Sequence, residues 1–101
     1  TGVLAVVLHT LNCGPDSHAY TDCLRLLAEG DALLLLGDGV YCAAPETQAS
    51  AALAASGASL YMLADHAKAR GLDGPNAPFA AIDMARFVEL TEQCAKQVAW
   101  Y

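Results

Sequence analysis

The amino-acid sequence predicts an α/β fold: a small three-layer α/β/α domain with a mainly parallel sheet of about five strands. Three observations carry this. Short apolar runs bounded by turn residues recur along the chain, as at Val3–Leu8 and Leu33–Leu36. Between them lie segments whose apolar residues fall at helical spacing, such as Tyr20, Cys23, Leu24 and Leu27. The two kinds of signal alternate, and alternating strands and helices imply a parallel sheet with helices on both faces.

Taken in order, Val3–Leu8 (VLAVVL) is rich in valine and reads as a strand covered on both sides; the loop NCGPDS follows. Asp16 or Ser17 can cap the next helix, because a short side-chain oxygen accepts a hydrogen bond from a free first-turn amide. Glu29-Gly30 supplies its stop. Leu33–Leu36 is too short for a helix and reads as a buried strand ending at Gly37-Asp38-Gly39. Pro45 with Glu46 can begin a helix running to about Ser56, since proline in a first turn gives up no needed donor. Ala58–Leu63 reads as a third strand, and Asp65 as the cap of a short helix ending at Arg70-Gly71. GLDGPNAP is loop, and Phe79–Ile82 is a fourth strand. Asp83 can cap the last helix, with Met84, Phe87, Val88 and Thr91 on its inner face, and Gln97–Trp100 closes the pattern as a fifth strand. With neither repeat nor linker, residues 1–101 are expected to form a single domain.

Composition narrows the function classes. Hydrophobic residues make up 55% and charged residues only 16%, against roughly 25% charged in a typical soluble domain. A small domain has proportionally more surface to cover, so this shortage of charge points to a surface that meets other protein. The net charge of −6, with five Lys and Arg and no basic cluster, argues against direct binding to nucleic acid. No apolar run approaches the roughly 20 residues of a membrane helix. The opening TGVLAVVLHTL lacks a basic flank and an A-x-A-like site and reads as a strand, not a signal peptide. Reduced thiols and a cytoplasmic location are therefore expected for the four cysteines.

Parallel α/β sheets gather their chemistry at the carboxyl ends of the strands. Here those ends fall at His9–Ser17, Gly37–Ala44 and Ala64–His66. Cys13 lies in the first of these loops, yet no Lys or Arg is near it in sequence, and a reactive thiol needs a cation, a helix amino terminus or a metal. His9 and His18 could serve only if the fold brings them close. Cys23 lies on the apolar stripe of its helix, past the first turn where the helix dipole acts, and reads as core. Cys42 and Cys94 read as packing residues. No CxxC or HxxxH pair supports zinc, so no metal and no cofactor is expected. Gly37-Asp38-Gly39 lacks the phosphate-loop and dinucleotide patterns and reads as a turn, leaving nucleotide binding as a minor alternative.

LHTLN at Leu8–Asn12, CLRLLAEGDALLLLGDGVY at Cys23–Tyr41, ARGL at Ala69–Leu72, IDMARFVELTEQC at Ile82–Cys94 and the closing VAW together resemble the TusB/DsrH family. The resemblance runs along nearly the whole chain. It implies a DsrEFH-like fold and a place in a sulfur relay. Such members assemble with TusC-like and TusD-like (or DsrF and DsrE) subunits into a heterohexamer. In the Tus relay, persulfide sulfur passes from TusA through this complex to TusE, for 2-thiolation of tRNA wobble uridine; in the Dsr version the same architecture serves sulfur oxidation. The resemblance also makes Cys23 a candidate persulfide carrier, since DsrH-type members keep a cysteine there while some TusB-type members have an apolar residue. It places the principal sulfur-accepting cysteine on the TusD/DsrE subunit. This chain is then either a relay subunit with its own sulfur chemistry or an assembly subunit without it.

Overall fold

The computed structural model describes residues 7–72 and 78–101. Along the chain run β1 (Val7–Leu11), α1 (His18–Leu26), β2 (Ala32–Leu35), a 3-10 segment (Gly37–Ala43), α2 (Gln48–Ala54), β3 (Ser59–Leu63), α3 (Ala64–Ala69), β4 (Ala80–Ile82), α4 (Met84–Gln93) and β5 (Lys96–Trp100). The strands form one sheet in the order β4-β3-β2-β1-β5, and every neighbouring pair is parallel. The expected fold class is the observed one.

Strand order also explains how the layers are filled. From β1 to β4 the chain steps the same way across the sheet, and right-handed crossovers keep their helices on one face. That face holds Leu11, Leu33, Leu35, Leu60 and Met62, with Cys23 and Leu27 from the first crossover, Leu53 from the second and Ala67 from the third packed on them. The return from β4 to β5 runs the other way, so α4 covers the opposite face, where Leu90 meets Leu8, Leu34 and Leu63. The alternation Leu33/Leu35 against Ala32/Leu34 is the pleat of a strand buried on both sides, as the run of leucines requires.

Several boundaries move. The first strand reaches Leu11, so His9 and Thr10 belong to the ladder; Val3–Val6 lie outside the described residues, as do residues 73–77 of the GLDGPNAP loop. Ser17, not Asp16, caps α1, its hydroxyl accepting the Tyr20 amide. α2 starts later than Pro45 because Glu46 takes a left-handed φ of 62°, which breaks the helix before Thr47 caps it. Asp65 lies inside the first turn of α3 and does not cap it; the cap position is Leu63, without a side-chain bond. Asp83 does cap α4, accepting from the Arg86 amide. The inner face of α4 is set by Phe87, Leu90 and Cys94, while Met84 and Val88 point outward, 57% and 49% exposed.

Candidate functional site

The carboxyl ends of β1, β2 and β3 lie under the loop Asn12–Ser17, the 3-10 segment and the start of α3. Between α1 and α2 a crevice of about 470 Å³ opens, walled by Pro15, Tyr20, Leu24, Tyr41, Thr47 and Ala49. It is a largely apolar hollow, with Asp16 as its charged wall.

Three of the four cysteines converge below this end of the sheet. Cys23 and Cys42 have no exposed surface and pack with Leu11 and Val40. Cys13 is partly exposed in the loop above them, and the Cys42 thiol donates a long, weak bond, 3.9 Å, to its carbonyl oxygen. Burial pushes the Cys23 thiol up to about 12. Burial first, then the neighbouring Cys23 and Cys13 thiols, pushes Cys42 up to about 12 as well. Burial first, then the Cys42 and Cys23 thiols, raises Tyr20 above its ordinary value. A thiolate is the form that attacks sulfur, and burial holds both of these thiols in the neutral form at neutral pH. Cys94 stands apart, packed on the opposite face, its thiol raised by burial and by the nearby Asp31 carboxylate. All four cysteines are free.

Gly37-Asp38-Gly39 is not a cradle for phosphate. The Gly37 amide donates to His66 Nδ1 at 2.8 Å and the Gly39 amide to the Leu36 carbonyl at 2.9 Å, so two of the amides a phosphate would need are taken. Asp38 accepts from Arg70 Nε at 3.1 Å. Gly39 is required by space: a Cβ there would overlap the Leu11 carbonyl oxygen. Among the described residues no group of three or more His, Cys, Asp or Glu side chains is placed to hold a metal ion. No helix of the described residues is long and apolar enough to cross a membrane.

One constellation was not legible beforehand. His9, 3% exposed, lies on β1 with both ring nitrogens engaged. Nε2 meets Asp31 Oδ2 at 3.0 Å, and Nδ1 accepts from the Trp100 indole N–H at 3.1 Å. The two rings are nearly parallel, 10° between planes with centroids 6.2 Å apart. Asp31 also accepts from the Ala28 and Val7 amides. Burial alone would raise its carboxyl, but the bonds from His9, Ala28 and Val7 outweigh it and hold Asp31 below the usual carboxylate value. His9 and Trp100 are 91 residues apart, and no spacing rule links them; the only signal was that both fall inside blocks of the family resemblance. His9 therefore serves no cysteine.

A five-stranded parallel sheet with three thiols gathered beneath its carboxyl end defines the class, a small α/β protein of this topology. The family model described as DsrH like protein matches residues 15–97. "Protein TusB" of Salmonella arizonae is 40% identical over 95 residues, covering 93% of this chain and all of that protein. "Protein TusB" of Sodalis glossinidius is 39% identical over the same extent. The crystal structure of the YchN protein from E. coli superposes with a TM-score of 0.73, covering 96% of this chain and 100% of that one at 13% identity, a likeness of fold. The chain belongs to the TusB/DsrH family.

Proposed function

We propose that this chain is a subunit of a TusBCD-like sulfur-relay complex. That complex passes persulfide sulfur from a TusA-type donor towards a TusE-type acceptor, for 2-thiolation of tRNA wobble uridine. Its partners are TusC-like and TusD-like subunits, in a heterohexamer in the cytoplasm. The observation that carries the reading is 40% identity to TusB along the full length of that relative. The charge-poor composition and the outward-facing Met84 and Val88 on α4 support a chain that works inside an assembly.

Within the complex, the chain contributes contact surface and positions its partners. In this reading Cys23 is a packing residue, which its burial and raised thiol support. Sulfur transfer requires a thiolate to attack the outer sulfur of the donor persulfide, with the donor thiolate leaving; a sealed thiol offers neither access nor charge. Co-expression with TusC-like and TusD-like subunits tests the assembly. A chain that purifies apart from both contradicts it.

A second reading makes Cys23 a persulfide carrier exposed only when the assembled complex opens the α1 face. The alternative pathway is the related role of a DsrH subunit of a DsrEFH complex in sulfur oxidation. Neighbouring genes separate the two pathways: a dissimilatory sulfite reductase cluster marks the Dsr role.

A further inference from the structure

The chain Asp31–His9–Trp100 ties three parts of the fold together: the α1–β2 turn, the strand β1 inside the sheet and the edge strand β5. Its hydrogen bonds fix the proton positions. An indole N–H can only donate, so His9 Nδ1 must present its lone pair to Trp100, and the ring proton sits on Nε2, facing Asp31. The imidazole is neutral in this arrangement, with no free site for a second proton. We propose that this is a proton-operated latch, in which protonation of His9 Nδ1 expels the Trp100 indole and loosens the end of β5 from β1.

Which partner moves follows from how each is held. His9 is 3% exposed, on a strand paired on both sides, and its Nε2–H stays bonded to Asp31, whose attraction for the imidazolium strengthens that hold. Trp100 is the last residue of an edge strand and only partly buried, so it yields when two N–H groups face each other. The surrounding ionisable groups leave His9 as the trigger. β2 presents only Ala32 and leucines. α1 presents Tyr20 and Cys23, while its Asp22 and Arg25 pair with each other in solvent. β5 carries the exposed Lys96, and Cys94 at the end of α4 lies close to Asp31. Among the described residues, only Asp31 bonds His9 with a charge.

Trp100 is the sole tryptophan, so its emission reports the latch directly. The full chain is titrated from about pH 8 to pH 5. The expected result is one red-shifting step, with amide protection (exchange relative to the intrinsic rate at each pH) falling about tenfold or more in residues 96–100 and unchanged in β2 and β3. Both changes should vanish in His9→Gln, whose amide oxygen can still accept the indole N–H but takes up no proton. A flat titration, the same step in His9→Gln, or exchange rising across the whole sheet overturns the proposal. Whether or not that variant folds, long-range nitrogen spectra of the wild-type imidazoles at pH 8 decide the same point. The expected His9 signal is protonated Nε2 with bare Nδ1, and a protonated Nδ1 there refutes the latch.

Discussion

Cys23 and Cys42 lie against Leu11 and Val40 with no exposed surface, and a thiolate formed there would have neither water nor a cation to stabilise it. Cys23→Ala should therefore leave relay throughput unchanged while costing about 1–2 kcal/mol of stability from lost packing, read by denaturant unfolding. Asp31 is the opposite case, a carboxylate held below its ordinary value by His9 and two backbone amides. A group depressed in the folded state adds stability above the unfolded carboxylate value of about 3.9, and that stability is lost as pH falls through the folded value. Asp31→Asn should cost about 1–3 kcal/mol at neutral pH and flatten the stability loss that sets in as pH falls below the unfolded carboxylate value of about 3.9. Urea unfolding at several pH values checks both. Gly39 is fixed by space, since any Cβ meets the Leu11 carbonyl; Gly39→Ala should cost about 1–3 kcal/mol, visible as a lower midpoint in the same experiment.

At the scale of elements, a local signal was readable wherever one residue decides the matter. Ser17 and Asp83 cap α1 and α4 because each carries an oxygen three residues ahead of an orphan amide. Thr47 does the same for α2, yet Pro45-Glu46 read as the start of that helix because proline favours a first turn; the left-handed Glu46 instead makes the pair a turn. Thr47→Ala and Asp83→Ala should each cost about 1 kcal/mol by thermal or denaturant unfolding. The rotation of α4 was not legible. Met84, Phe87, Val88 and Thr91 satisfy helical periodicity as well as Phe87, Leu90 and Cys94 do, and only the sheet beneath selects the second stripe. The 3-10 segment after β2 escaped for a similar reason: glycine forecasts a turn, but the amides of Gly37 and Gly39 are organised by His66, far along the chain, and by Leu36.

For the whole molecule, alternation of strand and helix was enough to fix a parallel sheet with both faces covered, while the order β4-β3-β2-β1-β5 rests on long-range pairing that periodicity does not encode. The gathering of Cys13, Cys23 and Cys42 follows from that order, as does the distant contact of His9 with Trp100. The charge-poor composition gains meaning only in company: a chain of this kind is expected to purify with TusC-like and TusD-like partners, and to show reduced stability without them. The most direct test of its role is the intact mass of every subunit of that complex after incubation with a sulfur-charged TusA-type donor. The account predicts sulfur on a partner subunit, none on this chain, and the same throughput when Cys23 is replaced by alanine. A one-sulfur gain on this chain that disappears in Cys23→Ala would contradict it.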